Sequence, residues 1–310
     1  MFDRTQDDAD RGSSVTTRAI ARSDAEYPAL LREVPTAPAT LYVRGALMES
    51  DALAVAIVGS RRATSYGLDV AEMLASDLAA RGVTIVSGLA RGIDSAAHRG
   101  ALRVGGRTVA VLGAGVDVVY PPENRRLAAE VAERGALLSQ FVPGTPPLPH
   151  NFPTRNAVIA GMSLAVVVVE AAERSGSLIT ARLGAELGRE VLAVPGRITA
   201  LESRGSNRLI QDGAALAMGW EDVVGLLPER WKACLQEAPA PAPRPAQILP
   251  DLLETRQVLS LLSDDPVDID IVIERSGLGA GRVSAALLDL ELEGRVRQIE
   301  GKRFVRVGRA

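Results

Sequence analysis

The chain has 310 residues, of which 47% are hydrophobic and 3% aromatic, so it can form one large aliphatic core and a second, smaller domain. Its formal net charge of −3 excludes a polycation, and a nucleic-acid site would have to be a local basic patch. One cysteine and two histidines exclude an internal disulfide and predict that the chain holds neither a zinc site nor another cofactor.

The chain begins with a polar, acidic stretch, and we expect residues 1–22 to form a disordered tail. This stretch is unlike a signal peptide, and no apolar run with uncharged flanks is long enough to span a membrane. We therefore expect a cytoplasmic protein with no membrane partner. Residues 27–47 follow, and their pattern predicts a short helix, a proline-rich turn and an edge strand.

From residue 53 onward, short apolar runs alternate with glycine turns and helical stretches such as Gly67–Arg81 and Ser177–Gly188. Continuous apolar runs of this length are typical of strands buried on both faces. The alternation predicts an α/β fold with an extended Rossmann-like, doubly wound and mostly parallel sheet. The predicted strands are Leu53–Val58, Val83–Val86, Thr108–Leu112, Ala136–Ser139, Leu164–Glu170 and Glu190–Val194.

A stretch rich in proline and alanine follows this region and predicts a stiff, extended linker. Beyond it, the pattern predicts three helices and a two-stranded hairpin, with the turn "SGLGAG" between the second and third helices. This arrangement favours a small winged-helix domain. The predicted segments are the tail 1–22, a Rossmann-like domain over 23–235, the linker 236–249 and a winged-helix domain over 250–310.

Several loops at one edge of the predicted sheet carry arginine, and parallel sheets bind their ligands at the carboxyl ends of the strands. Glycines let a backbone approach its ligand closely, and helix N-termini attract anions. One such loop suits a mononucleotide, whereas several in a row suit a chain of phosphates. The basic side chains of these loops are Arg61, Arg62, Arg91, Arg155 and Arg174.

Two classes of enzyme are alternatives to a polyanion-binding protein. A dinucleotide-dependent dehydrogenase would show G-x-G-x-x-G after a strand, and neither "GSRRATSYG" nor "GAGVDVV" has that spacing. A hydrolase would need an activated nucleophile, and Asp94 with His98 is the one pair at helical spacing to consider. A nucleoside-monophosphate phosphoribohydrolase stays open as the enzyme alternative, although its P-G-G-x-G-T signature is absent and "RSGSLIT" is the nearest stretch.

Seven stretches in the same order make the chain resemble the bacterial DNA-processing protein A (DprA/Smf) family, over residues 27–227. The C-terminal segment resembles the winged-helix domain of that family. The stretches are "AIVGSRRATSYG", "SGLARGIDSAAHRGAL", "GGRTVAVLGAGVDVVYPPEN", "NFPTRNAVIAG", "VVVVEAAERSGSLITA", "GREVLAVPG" and "GSNRLIQDGA".

The resemblance implies a protein that binds DNA without catalysis. Members of the family bind single-stranded DNA on an extended Rossmann fold, form homodimers and help to load the RecA recombinase onto incoming DNA in natural transformation. We expect double-stranded DNA to bind more weakly. The predicted DNA-binding residues are Gly59, Ser60, Arg61, Arg62, Arg91, Phe152, Arg155, Asn156, Arg174, Ser175, Gly176 and Ser177.

Two further expectations concern assembly and the C-terminal domain. The resemblance places dimer and recombinase contacts near residues 206–220, for which we predict Leu209, Ile210, Leu216 and Met218. The third helix of the winged-helix domain ends in acids, whereas its wing is rich in arginine. We therefore expect at most weak, sequence-independent duplex contacts through the wing, or else binding of a protein.

Overall fold

The structure is a computed structural model that describes residues 16–237, 252–299 and 301–307. The chain divides into two compact units, Met1–Ala238 and Pro239–Ala310. Most of the predicted linker, residues 238–249, lies outside the described residues, as do residues 1–15 of the predicted tail.

The first unit alternates strands and helices in chain order. Its strands are β1 (Thr17–Ala21), β2 (Thr40–Gly45), β3 (Ala54–Val58), β4 (Thr84–Ser87), β5 (Thr108–Val111), β6 (Ala136–Ser139), β7 (Ala165–Val168), β8 (Glu190–Ala193) and β9 (Ala215–Leu216). Its helices are α1 (Ala29–Arg32), α2 (Ser65–Ala79), α3 (Ile93–Arg103), α4 (Arg125–Arg134), α5 (Asn151–Met162), α6 (Ser177–Glu186), α7 (Arg204–Gln211), α8 (Trp220–Leu226) and α9 (Glu229–Lys232).

Within the described residues these strands form one nine-stranded sheet in the order β1-β2-β6-β5-β4-β3-β7-β8-β9. The strands from β6 to β9 in that order run parallel, so the predicted doubly wound sheet is confirmed. Every residue of β3 is buried because helices cover both faces of the sheet. This double coverage explains why the central strands read as continuous apolar runs.

The predicted position of the first strands is wrong in one respect. Residues 17–21 belong to the predicted tail, but they form β1 and pair antiparallel with β2 from Thr17↔Arg44 to Ala21↔Thr40. Ile20 enters the core, and this burial fixes the register of the pair. As a result β2 lies between β1 and β6 and is not the edge strand that we expected.

An ion pair supports the sheet at the end opposite the carboxyl ends of its parallel strands. Arg107, just before β5, donates from Nη2 to Asp51 Oδ2 at 2.7 Å and from Nε to the other carboxylate oxygen. Thr84 at the start of β4 also donates to Asp51, at 3.0 Å. Asp51 is buried, so its charge depends on these donors.

The second unit contains helices α10 (Leu252–Ser260), α11 (Ile269–Ser276) and α12 (Ala280–Leu292). Its strands are β10 (Val267–Asp268), β11 (Val296–Ile299) and β12 (Arg303–Arg306). Gly277 ends α11 in the left-handed conformation, at φ 66°, which allows the tight turn before α12. The winged-helix prediction is confirmed, but the sheet has three strands, because β10 pairs with β12 beside the predicted hairpin. None of the helices within the described ranges is both long and apolar enough to cross a membrane.

The Asp51–Arg107 pair yields a stability prediction. Replacing Arg107 with leucine leaves a buried carboxylate without its guanidinium, and we expect a loss of about 3–5 kcal/mol in the free energy of unfolding. Urea unfolding followed by tryptophan fluorescence reports on the first unit, since Trp220 and Trp231 both lie there. The matched control is Arg126→Leu, whose pair with Glu130 is exposed and should change stability by about 0.5 kcal/mol or less. Equal losses in the two variants would contradict the prediction.

Candidate nucleic-acid interface

The candidate site lies at the point where the order of the strands reverses. From β3 the chain proceeds to β4, β5 and β6 on one side of the sheet, and β7 returns to the other side of β3. In open α/β sheets, ligands bind in the crevice outside the carboxyl ends of the strands at such a switch point. Here the loop after β3, residues 59–64, and the loop after β7, residues 169–176, form that crevice.

A carboxylate of the protein itself occupies the N-terminus of α2. Glu170, buried at the end of β7, accepts hydrogen bonds from Thr64 N at 2.9 Å and from Thr64 Oγ1 at 2.5 Å. Gly67 in the first turn is required for this contact, since a Cβ there would lie 2.3 Å from Glu170 Oε2. The usual phosphate position at this helix is therefore filled by Glu170.

The loops after β3 and β4 are packed against each other. Ser60 O accepts a hydrogen bond from Ile93 N at 3.2 Å. Gly92 has φ 74°, and a Cβ at this position would lie 2.2 Å from Ser60 O. This contact holds Arg61 and Arg62 in place at the mouth of the crevice.

An open groove of about 810 Å³ runs along this edge. The predicted DNA-binding residues all line it, with the exception of Arg91. They are Gly59, Ser60, Arg61, Arg62, Phe152, Arg155, Asn156, Arg174, Ser175, Gly176 and Ser177.

Basic and aromatic side chains meet in the groove. Arg61, Arg62 and Arg174 are exposed, and Arg61 Cζ lies 5.0 Å from the centroid of the Phe152 ring. Tyr120 lies beside Phe152 with ring centroids 5.9 Å apart and an interplanar angle of 53°. Arginine over an aromatic face offers both a phosphate donor and a surface on which a base can stack.

Arg155 does not have the exposed phosphate-binding position that we predicted. Its residue is buried, and its Nη1 donates to Gly88 O at 2.7 Å and also to Val111 O, so it ties α5 to the ends of β4 and β5. Burial lowers the pKa of Arg155 to about 10, with the charge of Asp94 acting in the opposite direction. Two backbone carbonyls already use this guanidinium, so we reassign Arg155 to supporting the groove.

Arg91, unlike Arg155, lies outside the groove. Its Nε donates to Glu123, and this hydrogen bond lowers the pKa of the Glu123 carboxyl. Arg91 instead lines a small neighbouring cavity that it shares with Arg61, Tyr120 and Phe152.

The start of α6 supplies the polar wall opposite Phe152. Ser175 Oγ accepts from Ser177 N at 3.3 Å and lies 2.7 Å from Ser177 Oγ. Asn156 bridges the two walls, because its Oδ1 accepts from Arg155 Nε at 3.1 Å and its Nδ2 donates to Gly176 O at 3.4 Å. These contacts hold Ser175, Gly176 and Ser177 at the groove.

The sequence analysis did not predict every residue that lines the groove, and Leu201 and Glu202 are two of those it missed. Leu201 and Glu202 lie in a short 3₁₀ helix after β8, Leu201–Ser203, and both line the groove. The loop after β8 begins with "VPGR", but no motif marks Leu201 and Glu202, which come later in the same loop. Leu201 is exposed and adds an apolar edge, whereas Glu202 adds a negative charge to an otherwise basic surface.

Asp94 and His98 do not form a pair that faces the groove. Asp94 accepts from Gly88 N at 3.1 Å and Ala90 N at 3.4 Å, which fixes α3 to the preceding loop. Thr108 Oγ1 donates to Ile85 O, so it accepts from His98 Nδ1 at 2.7 Å. The other ring nitrogen, Nε2, is buried and has no hydrogen-bond partner within the described part of the chain. Burial lowers the pKa of His98 to about 3.

The predicted dimer residues separate into two groups. Leu209 and Ile210 on α7 are partly buried against the core beneath the sheet. Leu216 in β9 and Met218 just after it are exposed, and β9 is the last strand of the sheet.

Comparison with known families and proteins shows which proteins this chain resembles. Residues 18–228 match the family described as DNA recombination-mediator protein A, and residues 238–302 match the DprA winged helix domain. The chain is 42% identical over 289 residues to Protein Smf of Escherichia coli K12, which covers 92% of this chain and 76% of that protein.

Two solved structures resemble the first unit. The X-ray structure of DNA processing protein A from Streptococcus pneumoniae is 42% identical, covers 68% of this chain and 74% of its own, and has a TM-score of 0.65. The second, from Helicobacter pylori, is 29% identical with a TM-score of 0.62, and covers 68% of this chain and 95% of its own. Its description concerns the unique single-stranded DNA binding mode of DNA processing protein A. The resemblance identified from the motifs is thus confirmed.

Burial of His98 predicts a pH dependence of stability. A histidine whose folded-state pKa is lowered contributes stability above its unfolded pKa of 6.5, and this contribution is lost as the pH falls toward the folded value of about 3. In that window we expect His98 to cost about 1.4 kcal/mol of unfolding free energy per pH unit. His98→Asn, which can still donate to Thr108, should remove that slope, as measured by urea unfolding at several pH values. His150→Asn removes the other, exposed histidine and should not. An unchanged slope in His98→Asn would contradict the assignment.

Proposed function

The chain belongs to the DNA recombination-mediator protein A family, and we propose that it binds single-stranded DNA along the groove and delivers that DNA to a RecA recombinase. The observation that carries the proposal is the juxtaposition of exposed arginines with an aromatic ring in one groove. Family membership supports DNA processing in transformation. The single-strand binding described for the Helicobacter pylori relative supports the choice of ligand.

The phosphates of the strand would contact side chains rather than the end of α2. The Glu170 carboxylate already lies beside Thr64, the N-cap of that helix, so it would repel a phosphate from the position that a phosphate takes in a mononucleotide site. Arg61, Arg62 and Arg174 are exposed along the groove and suit successive phosphates. The arrangement therefore favours a polymer over a single nucleotide.

The aromatic pair explains a preference for single strands. A base can stack on Phe152 or Tyr120 only if it is unpaired and free to leave its neighbours. The apolar rims of the groove, Pro147, Pro149 and Leu201, can contact such bases without reading their identity. A duplex would offer only its phosphates, so its binding should be weaker.

The phosphoribohydrolase alternative finds no support in the groove. General acid–base catalysis needs a titratable group within hydrogen-bond reach of the substrate. His98 is fully buried, and the Asp94 carboxylate is engaged by backbone N–H groups. Glu202 is then the one other acid among the described residues of the groove, and a single carboxylate does not supply both an acid and a base. We therefore propose that the protein acts by binding alone.

We also propose a homodimer through the outer edge of the sheet. Leu216 and Met218 are the exposed apolar residues of the predicted segment, whereas Leu209 and Ile210 contribute by packing α7 against the core. Two linked copies would hold two stretches of one strand, which increases the apparent affinity through effective concentration.

The groove is tested by removing its exposed arginines. Arg61→Ala/Arg62→Ala should weaken binding of single-stranded oligonucleotides regardless of sequence. The slope of the logarithm of the binding constant against the logarithm of the salt concentration should also become shallower, by roughly 0.7 per lost phosphate contact. Fluorescence anisotropy with labelled oligonucleotides at several salt concentrations measures both effects.

The matched control is Arg125→Ala/Arg126→Ala, an adjacent pair of exposed arginines at the start of α4 with the same change in net charge. This control should retain its affinity and salt slope. If both double variants lost affinity equally, binding would depend on overall charge and the groove assignment would be withdrawn.

The dimer is tested by placing a charge at the edge of the sheet. Met218→Glu and Leu216→Glu should each give a folded monomer with weaker binding of long single strands, measured by light scattering and anisotropy. Met48→Glu changes another exposed methionine and should remain dimeric. A monomeric wild-type protein at micromolar concentration would refute the proposal.

A further inference from the structure

The exposed face of α12 lines a groove in the second unit. Ala280, Ser284, Leu288 and Glu291 follow one another at helical spacing along one wall of this groove. The facing wall comes from α11, from strands β11 and β12 and from the turn between these strands. It is formed by Ile269, Asp270, Ile273, Gln298, Lys302 and Phe304.

This face is unsuited to DNA. In helix-turn-helix proteins the corresponding helix enters the major groove with donors for bases and phosphates. Residues 280–292 contain one basic residue, Arg282, and its Nη2 pairs with Glu254 of α10 at 2.5 Å. The groove wall carries Glu291 instead, which would lie against the phosphates of an inserted duplex.

The groove has the shape and the surface of a protein-docking site. It encloses about 430 Å³, and its apolar lining comes from the partly buried Ile269 and Ile273, with Leu287 and Phe304 of the unit's core beside them. Leu288 remains 56% exposed at its rim. Ala280 and Ser284 are small, and they leave room at one end for a partner's larger side chains. Ile269 and Ile273 on the facing wall are only partly buried, so together with Leu288 they form a contiguous apolar stripe along the groove.

The charged residues around the groove indicate which charge a partner would carry. Asp270 lies on one wall and Glu291 on the other, with Lys302 in the turn beside them. Glu291 Oε1 accepts from Gln298 N at 3.0 Å, which holds its carboxylate at the rim. Two acids on opposite walls attract a ligand with basic residues along both sides of an apolar stripe.

We propose that this groove binds an amphipathic helix of a partner protein, with apolar anchors at i, i+4 and i+7 flanked by lysine or arginine. The apolar anchors would contact Leu288, Ile269 and Ile273, and the basic residues would pair with Asp270 and Glu291. A second copy of this domain fits less well. Two concave surfaces do not interdigitate, and their acidic walls would face each other.

The proposal is tested with a fluorescent model peptide of about 15 residues, built from leucines at the spacing above and flanking lysines. The full chain should bind this peptide in anisotropy titrations, and a version with glutamates for lysines should not bind. Leu288→Glu should weaken binding by about tenfold or more. Asp270→Lys should weaken it severalfold and reduce its salt sensitivity.

Two matched variants control for general effects of charge. Val307→Glu alters another exposed apolar residue of the same unit, and Glu274→Lys makes the same charge change elsewhere on α11. Both should bind the peptide like the wild type, and circular dichroism checks that each variant is folded. Equal affinity of Leu288→Glu and wild type, displacement of the peptide by duplex DNA, or no binding at about millimolar peptide would overturn the proposal.

Discussion

The hydrogen bonds of Glu170 to Thr64 are the interaction on which the binding edge of the first unit depends. They join the carboxyl end of β7 to the first turn of α2, across the position where the sheet reverses its order. The carboxylate stabilises the helix N-terminus from within the protein, so this end of α2 is no longer available to an external anion. The loop after β3 presents its exposed arginines instead, and under the proposed function these side chains would contact the phosphates of a strand lying in the groove.

Around this contact the groove divides into a buried supporting layer and an exposed binding layer. Arg155 and Asp94 use their polar atoms on backbone groups and hold the loops after β4 and β5 at fixed positions. Arg61, Arg62 and Arg174 remain exposed at the surface. Both layers contain arginine, and burial distinguishes the structural Arg155 from the exposed arginines that we propose as ligand contacts.

The sequence was sufficient to predict the central sheet, because strands buried on both faces produce continuous apolar runs that few other structures share. The sequence also predicted which loops carry the basic residues of the groove, because the carboxyl ends of parallel strands lie at the same edge of a sheet. Residues 17–21 were not predicted as a strand because β1 forms only by pairing with β2. The local composition of these residues does not reveal that pairing. Arg155 was misassigned for a related reason, as only the folded structure shows that the carbonyls of Gly88 and Val111 reach it. Leu201 and Glu202 reach the groove through the turn after β8, and no motif marked them.

The contact between Ser60 and Gly92 has a consequence for how this protein can diverge. Loops on α/β scaffolds ordinarily vary independently of one another, which is why such folds acquire new ligands by exchanging one loop at a time. Here a side chain at residue 92 would collide with the carbonyl of Ser60, while Glu170 ties a third loop to the same segment. If one of these loops were replaced alone with that of a homologue, its contacts with the other two loops would be lost. The three loops should therefore be inherited and recombined together.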